Sequence, residues 1–385
     1  MVTARVLQGV GAAVAAPSIL ALITSMAKDE AARNRGLALF TAASAVGSSF
    51  GLILGGLLTS VASWRWALFI NLPVGIAVVV TIHLLVKETP RTRGGFDVLG
   101  ALFVTGGSLA LVYGFIHAAE STWTSPWTVL SFVLAAALLA LFTVNEHRVR
   151  HPLLKPALLK DRARSGALAV MALVVGAHFA MLFMVVQYYQ HVLDFGPLTS
   201  GFAFLPLTGT VLVLTQFMPR LQARFGAPSL ALTGTLLVTA SFFGFAALGS
   251  GSTYGAGVLP ALLVHSVGVA MVFTPTTVVI MSGLKADDAG SMSGLLQTAQ
   301  QVGGSLGIAI IVAVYAAGND TGSFTSGLAP AFYVAAAMSF AAALLALVTL
   351  TRPARRPASA PASAQVPHSD DEHHRAPVTT SERRN

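Results

Sequence analysis

The ionisable side chains that this chain places inside apolar sequence are few, and each supports a limited chemistry. His178 stands midway along one apolar run and His265 lies in another. Neutral imidazole tolerates burial and titrates near physiological pH, so either residue can relay protons or bind a substrate. The competing reading gives each a structural hydrogen bond to a neighbouring helix. Arg5 lies in the first apolar run with Gln8 close by. A guanidinium in hydrocarbon is costly and usually faces a cavity or a partner; this one, four residues from the start, can also snorkel to the surface. Gln187 and Tyr188, followed by Tyr189 and Gln190, close the run that holds His178. They either face the mouth of a cavity or form an interfacial aromatic belt. Phe179, Phe183, Phe202, Phe204 and Phe273 offer apolar area and cation–π contacts to a lipophilic or cationic ligand, or else simply face lipid and core.

Equally informative is what the apolar runs lack. No Asp or Glu falls within any of their centres, and the chain has no cysteine. Disulfides and thiolate metal sites are thereby excluded. Paired acids, metal-ligand clusters and a nucleophile with its base are all missing from the pattern, so no catalytic residue, metal site or cofactor is assigned and an enzyme is not expected.

The elements that must position these residues are membrane spans. Apolar stretches run over residues 2–26, 36–59, 66–86, 97–117, 126–145, 167–190, 199–218, 228–248, 257–281, 293–316 and 328–350. Each is long enough to cross a hydrocarbon core of roughly 30 Å at about 1.5 Å per helical residue. Hydrophobic residues make up 55% of the chain and charged residues 10%, and the mean hydropathy is +0.74. Eleven fully buried helices with almost no polar shell do not fit a soluble domain of 385 residues. The runs are continuous and do not alternate, which excludes a transmembrane β-barrel. The expectation is an all-α polytopic membrane protein whose solvent is the lipid bilayer.

Basic residues fall on alternate connections. Lys28, Arg33 and Arg35, then Lys87, Arg91 and Arg93, then the group from Arg148 to Arg164, then Arg220 and Arg224, Lys285 and the tail from Arg352 form one set. The intervening connections hold only Arg65. The positive-inside rule makes the first set cytoplasmic and puts the C-terminus inside a plasma membrane crossed many times. It also places His265 in the outer half of its span. The net charge of +8 is a topology signal, and with no folded basic face a nucleic-acid partner is not expected. An inside C-terminus after eleven crossings puts Met1 outside, without an n-region; an odd number of upstream spans would repair this. The chain therefore reads as the C-terminal part of a longer protein, truncated or started late. From residue 351 to 385 the composition is rich in Pro, Ala, Ser and Arg and reads as a disordered tail.

Three motifs in the first spans carry a resemblance. Arg5, Gln8, Gly9, Gly11, Ala12 and Ala13 resemble the R-x-x-Q-G-x-G-A-A run in the fourth helix of major facilitator drug antiporters. Gly47, Gly51, Gly55 and Gly56 resemble the G-x-x-x-G-P-x-x-G-G antiporter motif of the fifth. Trp64, Arg65, Trp66, Phe69, Asn71, Pro73 and Gly75 resemble the W-R-W-x-F-x-I-N-x-P-x-G run that opens the sixth. Further along, Phe96, Asp97 and Gly100 look like the start of the seventh helix of the 14-span branch, the drug:proton antiporter family 2. Gly290, Ser293, Gly294, Gln301, Gly303, Gly304 and Gly307 resemble its thirteenth.

The resemblance implies a major facilitator fold with about eleven of fourteen helices present, the first three lacking. Residues 1–86 would be core helices 4–6 and residues 87–166 an extra helix pair with its linkers. Residues 167–350 would be the C-terminal six-helix half. It implies export of amphipathic drugs or secondary metabolites in exchange for protons, by two halves rocking about a midplane site. Arg5 is implicated in proton transfer by the same resemblance, and His178 and His265 would line the cavity. Gly47, Gly51 and Gly55 lie on one helical stripe, as close helix packing or antiport would require. The family's proline after the second glycine is Leu52 here. That departure, with the missing intramembrane acids, keeps a proton-independent or uptake transporter and an inactive remnant open as alternatives.

Overall fold

The computed structural model describes residues 29–85, 97–149, 156–284, 286–318 and 324–350, with scattered positions between 8 and 27. The elements are helices α1 (Glu30–Val61), α2 (Trp64–Phe69), α3 (Asn71–Leu85), α4 (Val98–Glu120), α5 (Pro126–Arg148), α6 (Pro156–Leu159) and α7 (Arg162–His191). There follow α8 (Pro197–Phe202), α9 (Leu205–Phe225), α10 (Ala227–Ala246), a π-helical turn over Tyr254–Val258, α11 (Leu259–Met281), α12 (Ala286–Gly318) and α13 (Leu328–Thr349). Among the described residues nine stretches are long and apolar enough to span a membrane, from Trp64–Leu84 to Leu328–Thr349, and each coincides with an expected span. The expected span at 36–59 lies within α1; that at 2–26 falls largely outside the described residues, as does the tail from 351.

The helices start and stop for local reasons. Asp97 caps α4 by accepting from Gly100 N at 2.9 Å, and its other oxygen accepts from Asn145 Nδ2 at 2.6 Å, which ties α4 to α5. Asp161 caps α7, accepting from Ala163 N at 3.0 Å. The cap starts α7 five residues before the expected apolar boundary, so Arg162 and Arg164 are helical and not in a loop. Pro206 and Pro260, which fall inside the expected spans 199–218 and 257–281, open α9 and α11, where a missing N–H costs nothing. The interior prolines are Pro219 and Pro275. Gly226 joins α9 to α10 at φ +78°, a left-handed backbone that a side chain would strain.

α7 packs on three other long helices. It contacts α11, α12 and α13, while α10 lies against α11 and α13, and α9 against α11. α4 and α5 form a hairpin that touches α12 through α4, and α1 packs on α8 and α9. Glycines set the spacing. A Cβ at Gly303 would strike the backbone of Ala172 and one at Gly307 that of Gly176, so α12 sits directly on the backbone of α7. Gly234 and Gly268 do the same for α10 and α11, each placing the other's carbonyl oxygen 2.7 Å from where a Cβ would be. Small residues at such crossings replace the hydrophobic drive that lipid cannot supply between helices.

Candidate functional site

The two glycine crossings flank the histidines, α12 meeting α7 near His178 and α10 meeting α11 near His265. His178 lies two residues beyond Gly176 on α7, and His265 three before Gly268 on α11. The imidazoles meet face to face, ring centroids 5.3 Å apart and 11° from parallel, with His178 Nδ1 3.0 Å from His265 Nε2. The far nitrogen of His265, Nδ1, is 3.0 Å from Ser241 Oγ on α10. Three side chains from three helices thus form one hydrogen-bonded row. His265 is fully buried and His178 half-buried.

Aromatic rings enclose the row. Phe179 and Phe273 lie beside His178, at 5.9 and 6.2 Å between centroids. Phe242 and Phe245 lie beside His265, at 5.4 and 6.1 Å, and Phe332 of α13 stacks on both of these phenyl rings. An apolar cage of this kind strengthens each hydrogen bond inside it and makes an unpaired polar atom costly. A cavity of about 500 Å³ is lined by Ser241 and Gly244 of α10, Leu248, Gly257 of the π-helical turn, and Pro260 and Val264 of α11.

Chemically, the row can hold, share and release a proton. One imidazole becomes imidazolium and its partner remains an acceptor within 3.0 Å. The row's one hydroxyl, that of Ser241, donates to Val238 O at 2.6 Å. Among the described residues no three His, Asp or Glu side chains gather to hold a metal ion.

The other expected residues lie elsewhere. Arg5 is outside the described residues, and Gln8 sits on an exposed helical stretch. Tyr188 is wholly buried, its hydroxyl donating to Gly249 O at 2.8 Å, so it latches the end of α7 to the loop after α10. Gln187 is half-buried, and its carbonyl oxygen accepts from His191 Nδ1 at 2.9 Å. Tyr189 is buried against Phe195, Phe204 and Tyr254. Phe183 and Phe202 are exposed.

The antiporter-motif glycines divide. A Cβ at Gly56 would fall 2.6 Å from Pro197 O, so α1 approaches the start of α8 closely there. At Gly47, Gly51 and Gly55 no atom lies within 4 Å. Their stripe faces a side of α1 against which no described helix packs, so the close crossing is made at one glycine of the four.

Two side chains that join helices of the site escaped the sequence. Ser241 is indistinguishable there from any serine bonded back to its own helix. Arg164 reads as one loop cation among several. In the structure Arg164 is buried and donates from Nη2 to Ser282 O at 2.9 Å and from Nε to Ile280 O at 3.2 Å. It thereby caps the end of α11 with a cation, where the orphan carbonyls and the helix dipole favour one. The acidic cap Asp161 just before it, with no other acid nearby in sequence, is the one local sign of a helical Arg164.

Comparison with known proteins decides the family. The sequence profile of the Major Facilitator Superfamily matches residues 1–308. The chain belongs to the Major Facilitator Superfamily. It is 34% identical over 319 residues to the puromycin resistance protein pur8 of Streptomyces alboniger, a match covering 80% of this chain and 62% of that protein. The tetracenomycin C resistance and export protein of Streptomyces glaucescens is 35% identical over 315 residues, 81% of this chain and 58% of its own length. The cephamycin export protein CmcT of Amycolatopsis lactamdurans is 32% identical over 362 residues, 91% of this chain and 73% of its own. The chain thus spans about three fifths of the first two relatives. As a superfamily member with nine described membrane-length spans, it is a multi-pass, non-enzymatic membrane protein related to drug and antibiotic resistance proteins.

Proposed function

We propose that this protein exports amphipathic drugs or secondary metabolites across the plasma membrane in exchange for protons, with the His178–His265 pair as the group that carries the proton. The supporting observation is the pair itself: two imidazoles joined at 3.0 Å within the apolar helices, caged by phenyl rings. The described spans offer no mid-membrane Asp or Glu to do the same work. Relatives named for puromycin resistance and for tetracenomycin C or cephamycin export support this substrate class. His178 is half-buried, and Phe179 and Phe273 beside it supply apolar faces for a lipophilic cation. With the C-terminus cytoplasmic, inward proton movement drives outward substrate movement; each charge contributes about 2.3 kcal/mol per 100 mV of membrane potential.

The test is ethidium efflux from vesicles reconstituted with the full chain, under an imposed pH gradient. The gradient should accelerate efflux in the wild type and lose its effect in the His178→Ala/His265→Ala double variant. An unaltered pH profile in that variant reduces both histidines to packing and removes them from the mechanism.

A further inference from the structure

The hydroxyl of Ser241 carries one hydrogen, and where it points decides the protonation pattern of both imidazoles. Its Oγ lies 2.6 Å from the carbonyl oxygen of Val238 and 3.0 Å from Nδ1 of His265. A carbonyl has no hydrogen to give, so the short oxygen–oxygen contact requires the serine to donate there. The serine is then an acceptor towards the ring, and the 3.0 Å contact closes only if His265 Nδ1 carries hydrogen. In a neutral imidazole that leaves Nε2 bare. The bond between the rings must therefore be donated by His178 Nδ1 to His265 Nε2. By the same rule His178 Nε2 is bare. No described residue hydrogen-bonds it. Donor arithmetic, starting from one backbone carbonyl, assigns all four ring nitrogens.

We propose that Ser241 is the positioning residue of the pair: it holds both rings as Nδ1–H tautomers and makes His178 Nε2 the single atom at which the pair takes up and releases a proton. This rests on the proton-coupled reading above. A proton arriving at His178 Nε2 makes that ring an imidazolium. Its Nδ1 hydrogen can then cross the 3.0 Å bond to His265 Nε2, leaving His178 neutral with hydrogen on Nε2 and His265 protonated on both nitrogens. Ser241 continues to accept from His265 Nδ1 in both forms, so the charge is shared without moving a helix. A second proton would set two cations face to face at 5.3 Å, so the pair holds one. Among the described residues, the ring and hydrogen-bond contacts of the two imidazoles, apart from each other, are with Phe179 of α7, Phe273 of α11 and Ser241, Phe242 and Phe245 of α10, none of which ionises in the working range. Phe332 of α13 closes the cage behind them, and Gly304 of α12 backs Phe179.

The deciding measurement is nitrogen NMR of the full chain in lipid vesicles, with ¹⁵N-labelled histidine and the two residues assigned through the single variants His178→Asn and His265→Asn. At neutral pH both rings should show hydrogen on Nδ1 and a bare Nε2. Acidification should protonate His178 Nε2 first. Ser241→Ala should release His265 into a mixture of tautomers, while Ser241→Thr keeps the wild-type pattern. In ethidium efflux, Ser241→Ala should move the pH midpoint by about tenfold in proton concentration, the worth of one hydrogen bond to an ion, and Ser241→Thr should restore it. Hydrogen on Nε2 of His265 in the wild type overturns the proposal, and so do Ser241→Ala spectra identical to the wild type. The expected tautomers together with efflux indifferent to pH would instead overturn the coupled-transport reading, and the uptake role with it. Because the wild-type spectrum alone tests the assignment, the outcome does not depend on whether a variant folds.

Discussion

Two spans of similar hydropathy meet opposite surroundings. Over its most apolar window, Trp64–Leu84 has no buried residue, whereas more than half of the Arg162–His191 window is buried. In the first, Val74, Val79 and Leu84 are exposed; in the second, Met171, Val174 and Met181 have no exposure at all. Hydropathy therefore says that a helix belongs in lipid and says nothing about whether it touches lipid. What separates the two is the sparse set of small and polar residues. α7 offers Gly176 to the backbone of α12, His178 to α11 and Arg164 to the carbonyls at the end of α11. The stretch Trp64–Leu84 offers Gly75, beside which there is open space.

The largest effect expected is at the glycine crossing. Gly307→Leu would drive a side chain into the backbone of Gly176, where neither helix can yield. Overpacking of this kind costs about 3 kcal/mol or more, enough to remove the monodisperse peak in detergent gel filtration. Gly75→Leu should leave that peak and its thermal midpoint unchanged. Equal losses in both would mean that the contrast between the two helices is not a contrast in packing.

Next in size is Arg164. Arg164→Met keeps the apolar stem but removes the donors to Ile280 O and Ser282 O, leaving carbonyls at the end of α11 unpaired. Hydrogen bonds from a charged donor are worth about 1.5–3 kcal/mol, and a loss of that size should appear as a lower thermal midpoint. Arg162→Met, exposed and two residues away in the same helix, should change stability by less than about 0.5 kcal/mol. Similar midpoints for the two variants would demote Arg164 to an ordinary interfacial cation.

The same contrast explains which parts of the molecule were legible in the sequence. Membrane spans are collective signals, summed over some twenty residues, so nine of them coincide with described helices to within a few residues. Helix ends are set by single residues: Asp161 moves the start of α7, and Pro206 and Pro260 open α9 and α11 inside the expected spans. Pairings between helices are set by contacts no local pattern encodes. His178 and His265 stand 87 positions apart, and each looked as much a lone structural histidine as a functional one. Ser241 enters the row only because Gly234 and Gly268 let α10 and α11 approach. The glycines of α1 were visible as a stripe and those of α12 as a family motif, but only the fold says that Gly303 and Gly307 meet a backbone while Gly47, Gly51 and Gly55 do not.

The smallest expected effect is also the one that separates latch from ligand contact at the far end of α7. Tyr188 closes the run that holds His178, a position from which it could either face a substrate or anchor the helix. Its ring has no exposure, and its hydroxyl donates to Gly249 O. Tyr188→Phe retains the buried ring and removes one hydrogen bond, worth about 1 kcal/mol. Amide exchange should quicken in the loop Gly249–Thr253, because that loop loses its tie to α7, while exchange within α7 and α11 stays slow. Ethidium efflux should keep its wild-type rate, since the hydroxyl points at a backbone carbonyl and away from the histidine row. A variant of unchanged loop exchange but sharply reduced efflux would reverse the assignment. The end of α7 would then join the half-buried His178 as part of the substrate path, and the boundary between packed and functional surface on this helix would move outward by about ten residues, roughly 15 Å along its axis.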